Sequence, residues 1–285
     1  MHIVEFTQER RREMFEAGKQ SLFFYCKGLL GFSDMTEELH WDYCEFLERP
    51  SLRKLIFVFR GGLKSSIGNI GFTTHRSLYI PDHATKLVES SSENAKKNHF
   101  MPIFELFAHS TRADFFWWLW GDYGDDTRLD ETGAPLDQDM RRIPEGFRGT
   151  NSEQIDFIRR GGLALPSITY GGINTKYEGW HGDLVLGDDL EGADEDVAAI
   201  PNTGAWHFVN QRAVPLLKDP GKGLIVIIGT PHGPEPVIHR LKERERAWRM
   251  EGNDPVWDIF WRPLINSSGE CEWPERFTPE TVSHS

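Results

Sequence analysis

The chain has 285 residues, of which 39% are hydrophobic and 27% charged, with 19 Phe and 10 Trp. Such a composition excludes a disordered or collagen-like state and allows one large domain or two modest ones. Asp and Glu number 44 against 32 Lys and Arg, a formal net charge of −12, which excludes a generally basic nucleic-acid coat and restricts any DNA contact to a local face.

In chain order, residues 5–50 are mixed and helix-like. Within them apolar side chains recur at helical spacing from Leu39 through Trp41, Tyr43 and Leu47, with Thr36 as the expected N-cap and Pro50 as the stop. Residues 54–59, KLIFVF, are a continuous apolar run too short for a helix, and they lead at once into RGGLKSS, which predicts a buried strand entering a tight loop. A second strand is expected at 84–89, then a helix from Glu93 capped by Ser91 or Ser92. The aromatic run 115–120, FFWWLW, reads as core, because no basic residues interleave to make a surface for stacked bases. Residues 121–152 lack periodicity and predict a long loop or insertion. Apolar runs at 162–170, 183–187 and 223–229 predict further strands. The stretch 239–249, HRLKERERAWR, predicts a helix whose cations are either paired with Glu243 and Glu245 along a solvated face or available to DNA phosphates. The final segment, INSSGECEWPERFTPETVSHS, is polar and proline-containing and reads as linker or tail.

Short buried strands alternating with helices imply an α/β fold with a mostly parallel sheet covered on both faces. Cys26, Cys44 and Cys271 are isolated, which gives neither a disulfide framework nor a zinc ribbon and suits a reducing compartment. His75, His83, His99, His181, His207 and His239 show no ligand spacing. No run approaches the ~20 apolar residues needed to cross a bilayer, and the N-terminus has no signal-peptide core, so a soluble, cytoplasmic protein without a membrane partner is expected.

Three places carry groups suited to chemistry. A phosphate-binding loop needs small residues so that backbone N–H groups can approach the oxygens, a Lys for the outer phosphates and a hydroxyl for Mg²⁺. Gly61, Gly62, Lys64 and Ser65 supply these, although Val58 and Leu63 stand where the usual pattern has glycines; an ordinary strand-to-helix turn fits the same stretch. The run LVLG ends in Asp188 and Asp189, and two acids at the end of a buried strand need a metal, donors or water. They fit the Mg²⁺-orienting and water-positioning acids of a nucleotide hydrolase, and equally a solvated acidic helix start. GLIVIIG ends in Thr230, Pro231 and His232, polar groups that either sense a γ-phosphate or merely turn the chain.

Taken together and in order, MTEELHWDYCEFLE, FRGGLKSS, ESSSENAKKN, WHGDLVLGDDLE, IVIIGTPHG and EWPERF resemble the ATPase portion of the large terminase subunit of tailed phages, the motor that pumps DNA into a procapsid. The resemblance implies a P-loop NTPase fold of the RecA/ASCE type, with a helical cover over 1–50, an ATPase core over 51–262 and a linker or tail over 263–285. It implies ATP and Mg²⁺ as cofactors, with Arg60, Gly61, Gly62, Leu63, Lys64, Ser65 and Ser66 around the phosphates and Ser65 and Asp188 on the metal. Arg60 looks like the family's loop arginine, Asp189 stands where many members have a catalytic Glu, Glu191 is its nearby competitor, and Thr230 begins the coupling motif. Upstream of LVLGDD, where a finger for a neighbouring subunit is often found, only Lys176 is cationic. Implied partners are double-stranded DNA, the portal protein, the small terminase subunit and further copies in a ring, at the portal in the host cytoplasm. A nuclease activity is not expected from these residues. Alternatives are a helicase-like DNA translocase and a non-catalytic nucleotide-binding assembly subunit docked on the portal.

Overall fold

The run KLIFVF forms strand β1 (Arg53–Val58), buried after its first residue. Leu55 and Phe57 enter one core cluster and Ile56 and Val58 the other, the period-2 alternation of a strand covered on both faces. The computed structural model describes residues 7–80, 83–108, 112–120, 153–155, 157, 165–191, 203–230 and 236–277. Its other strands are β2 (Thr85–Glu89), β3 (Gln154–Ile155), β4 (Ile168–Gly172), β5 (Leu184–Asp188), β6 (Leu224–Gly229) and β7 (Asp258–Arg262). They make one seven-stranded sheet in the order β3-β4-β2-β5-β6-β1-β7. Every pairing is parallel except that of β3 with β4.

Helices cover both faces, as parallel strands require. On one face lie α1 (Gln8–Gln20), α2 (Leu22–Phe24, continuing through wide turns to Leu30) and α3 (Glu37–Glu48). The same face carries Ser66–Phe72 with α4 (Thr73–Tyr79), α5 (Ser92–Ala95), α6 (Met101–Ala108) and α7 (Ala113–Trp120). Their buried Leu22, Tyr43, Phe72, Phe107 and Trp118 form one cluster with Ile56, Leu186 and Val226 of the sheet. Phe116, Trp118, Leu119 and Trp120 of the aromatic run are therefore core, each such side chain contributing ~1.5–3 kcal/mol by leaving water. On the opposite face α8 (Thr203–His207) and α9 (Val237–Met250) bring Ala205, Ile238 and Leu241 against Leu55, Val185 and Ile227.

Capping follows the sequence closely. Ser91 accepts a hydrogen bond from the Asn94 N–H at 3.1 Å and caps α5. Thr36 stands at the N-cap of α3 without using its hydroxyl there, and the His40 ring instead accepts from the Thr36 N–H at 3.0 Å. At the other end Arg49 has ψ 149°, the extended conformation forced on a residue before proline. The buried ammonium of Lys54 then donates to the Phe46 and Arg49 carbonyls at 2.9 and 2.7 Å, satisfying carbonyls that the helix end leaves open.

Several expectations are corrected. Of the run 162–170, residues 162–164 lie outside the described residues, and among the rest β4 starts at Ile168 and continues through Gly171 and Gly172. These glycines are required by space, since a Cβ on Gly172 would lie 2.6 Å from the Ser92 backbone nitrogen. Strand β7 was not expected; all five of its residues are only half-buried, so DIFWR has no continuous apolar signature. Within the expected tail, Trp273 is buried and Phe277 packs beside it on the main cluster, so the segment up to 277 is part of the packed structure. The long loop expected at 121–152 lies outside the described residues, as do 192–200 and 231–235. Among the described residues no helix is long and apolar enough to cross a membrane.

The order of the sheet makes a crevice. After β1 the chain turns onto the face of α4, and after β6 it turns onto the face of α9, although β1 and β6 are neighbours. Loops that leave adjacent strands in opposite directions open a gap at the carboxyl ends, where open α/β sheets place their ligands.

Candidate functional site

The loop after β1 turns sharply because of its residue types. Gly61 has φ 85°, a left-handed conformation natural to glycine. Gly62 is needed for space, since a Cβ there would meet Val58 Cγ1 at 2.6 Å and the Phe59 carbonyl oxygen at 3.1 Å. Leu63 has φ 57°, strained by roughly 1–2 kcal/mol for a residue with a Cβ. It thus adopts the conformation that a glycine at that place in the usual pattern would supply. Tyr43 of α3 donates its hydroxyl to the Lys64 carbonyl at 3.1 Å and fixes the end of the turn.

Lys64 and the acid pair, 124 residues apart, meet in this crevice. The Lys64 ammonium lies 2.8 Å from Asp188 Oδ1 and 3.1 Å from both carboxylate oxygens of Asp189. Ser65 donates to Asp188 Oδ2 at 2.6 Å, and Asn69 Nδ2 donates to the same oxygen at 2.6 Å. Burial opposes both charges, but each is overcome. Asp188 and Asp189 hold the Lys64 pKa above the usual lysine value despite its desolvation. The Asp188 carboxyl, fully buried, is pulled below the usual carboxylate range by Lys64, by His99 and by the hydrogen bonds from Lys64 and Ser65. Three donors on one buried carboxylate satisfy the requirement that a charge taken from water be paired and hydrogen-bonded.

Asp189 leaves the strand with φ 41°, a left-handed turn that Asp tolerates better than most residues. Its carboxylate reaches solvent and also faces the Thr230 N–H, which lies 3.4 Å from Oδ1. Arg60, Gly61, Leu63, Lys64, Ser65, Ser66, Asp189 and Thr230 line one open cleft of about 390 Å³. Gly62 is buried beneath it, and Asp188 forms its floor through Lys64 and Ser65. Glu191 is used differently: its Oε1 accepts from the Val237 N–H at 2.6 Å, at the start of α9.

Other groups in the site were given no role from the sequence. Glu89 ends β2 beside Asp188, since Val88 is in register with Gly187. His99 lies between these acids, with Nε2 3.4 Å from Glu89 and 4.0 Å from Asp188, and its Nδ1 is 2.8 Å from Asn69 Nδ2. Arg276, from the segment expected to be a tail, also lines the cleft. Asn69 and His99 lie outside the stretches that carry the resemblance, and Glu89 and Arg276 lie within ESSSENAKKN and EWPERF without an assigned role; only the fold joins the four.

The cations of 239–249 are largely engaged in packing. Arg240 and Arg244 lie over the Trp206 ring, Lys242 over Trp261, and Arg249 pairs with the buried Glu245 at 2.7 Å. The i,i+4 reading of this helix therefore holds for Arg249 with Glu245.

Chemically, the cleft offers a cation and turned backbone for an anion, a hydroxyl and a carboxylate as hard oxygen donors, and a second, solvent-reaching carboxylate for water. Among the described residues no three His, Cys, Asp or Glu side chains converge into a metal cage, so a hard cation on Ser65 and Asp188 would need further oxygens from its ligand or from water. Compared with known proteins, the chain matches no family model and has no significant match among curated proteins.

Proposed function

We propose that the chain is a Mg²⁺-dependent ATP hydrolase with a P-loop NTPase fold, acting as the motor module of a DNA-packaging terminase. The observation that carries the hydrolase reading is the convergence of Lys64 and Ser65 on Asp188, with Asp189 beside them, across the strand ends of a crevice. The interposed β6 supports it. With β1 and β5 separated by two strand spacings, ~9–10 Å, the loop lysine and the acids have room between them for a phosphate chain.

In this reading the Lys64 ammonium exchanges its carboxylate partners for the outer phosphates. Ser65 and Asp188 would hold Mg²⁺, which supplies charge neutralisation on the phosphate oxygens. Asn69 keeps Asp188 Oδ2 turned toward the loop. Asp189 receives the proton of the attacking water, and Arg60, which is exposed and has no ion pair among the described residues, offsets the charge that develops on the transferred group. Thr230, bonded through its N–H to Asp189, passes the change at Asp189 to the start of α9. Double-stranded DNA, the portal, the small subunit and a ring of copies are the partners that go with this assignment.

The test is ATP hydrolysis by the purified chain with Mg²⁺, with and without double-stranded DNA, beside Asp189→Ala. Turnover in the native chain and its loss in the variant are expected. Absence of both binding and turnover would overturn the assignment of the site. Binding without turnover would favour an assembly subunit, a reading supported by the presence of Asp where a longer Glu is usual.

A further inference from the structure

The cleft has a cationic wall that comes from neither the β1 loop nor the acid strand. Trp273 is buried and packs edge-on against His40 of α3, with ring centroids 5.3 Å apart. The N–H groups of Arg276 and Phe277 both donate to the Trp273 carbonyl, at 3.1 and 2.9 Å, which closes a turn. Phe277 then meets Phe59 edge-on at 5.6 Å and lies where a Cβ on Gly61 would reach 3.0 Å from its ring. The segment is thus seated on the β1 loop, and it carries the Arg276 side chain into the cleft lining beside Arg60 and Ser65.

The charge balance says what Arg276 faces. Lys64 is already answered by two carboxylates. Arg276 has Asp34 at 3.6 Å, with side chains 40% and 65% exposed, a solvated pair that contributes little. Its guanidinium rests 4.9 Å from the Trp273 ring centroid, which orients the plane without neutralising it. A planar donor fork held over a cleft by a fixed turn suits bidentate contact with phosphate oxygens.

We infer that Arg276 is a nucleotide-binding residue of this cleft, exchanging Asp34 for a phosphate of the bound nucleotide and thereby tying segment 273–277 to occupancy of the site. The inference rests on the nucleotide reading given above. Calorimetric titration of the purified chain with Mg²⁺ and ATP tests it, comparing the native chain with Arg276→Ala and with Arg276→Gln, which keeps a stem to stack on Trp273. Both neutral variants should bind about tenfold more weakly or worse, by analogy with the loss of one charge-assisted contact. An affinity within twofold of native in either variant overturns the role of Arg276 and leaves the site standing. Failure of the native chain to bind ATP overturns the nucleotide reading itself.

Discussion

Asp188 has no exposed surface, and its charge is tolerated only because Lys64, Ser65 and Asn69 all donate to it. Removing Lys64 therefore does two things: it deletes a group proposed to bind phosphate, and it leaves a buried carboxylate without its counter-ion. Lys64→Ala should cost roughly 3–5 kcal/mol of stability, measured by urea denaturation, as well as abolishing turnover. Adding Asp188→Asn should restore most of the stability without restoring hydrolysis. A single variant as stable as the native chain would show that Lys64 does not hold Asp188 as a buried counter-ion. Inactivity of Lys64→Ala alone is thus weak evidence about catalysis, and Asp189, whose carboxylate reaches solvent, is the cleaner position to change.

At the scale of elements, Glu191 marks the difference between an acid near a site and an acid within it. Its carboxylate accepts from the Val237 N–H, where a negative charge also complements the helix dipole. Glu191→Ala should lower stability by about 1 kcal/mol and leave the turnover number within a few-fold of native; a loss of several orders of magnitude would make Glu191 the catalytic acid in place of Asp189. The central elements were legible in sequence for a simple reason. Strands β1, β5 and β6 are buried on both faces and carry apolar runs (LIFV, LVLG and LIVIIG), and the chemistry of the crevice sits directly at their ends; β2, equally buried, keeps only Leu87 and Val88 as its apolar signature. Strand β7 escaped because an edge strand half-open to water alternates Asp, Ile, Phe, Trp and Arg without such a run. Strand β4 escaped in part because its glycines answer to Ser91, Ser92 and Tyr177 across space. The acidic pair and the lysine were visible as local motifs, whereas Asn69, Glu89, His99 and Arg276 acquire meaning only from neighbours distant in the chain.

Over the whole molecule, acid sensitivity should come from buried imidazoles before it comes from the site. Burial lowers the pKa of both His40 and His75 to about 4, and His75 Nε2 donates to the Gly18 carbonyl at 3.0 Å. A folded-state pKa below the ordinary histidine value of ~6.5 means that the unfolded chain binds more protons between those limits, so stability falls as pH falls through that window. His75 alone should account for on the order of 3 kcal/mol across it. The contribution of Asp188, whose pKa is depressed, is lost as pH falls from the ordinary carboxylate value of ~3.9 toward its folded value, so it matters only at and below the acid end of this window. Urea midpoints should therefore drop steadily from pH 7 to pH 5 with an unchanged m-value; a flat profile would show that these histidines are solvated.

Strand β1 lies between β6 and β7, both encoded far downstream, and Arg53 at its start donates to the Gly223 carbonyl 170 residues away. During synthesis, β1 must wait for most of the chain to emerge before either of its hydrogen-bonding edges is met. Closing a loop of that length costs entropy before any contact repays it, which makes the sheet slow to form and leaves an apolar strand open to misassociation meanwhile. The helices over residues 8–48 lie against the face of that strand, so a segment made before it is positioned to shield it. The crevice itself, which needs β5 and β6 together, is completed late, and any ligand it holds binds the finished sheet.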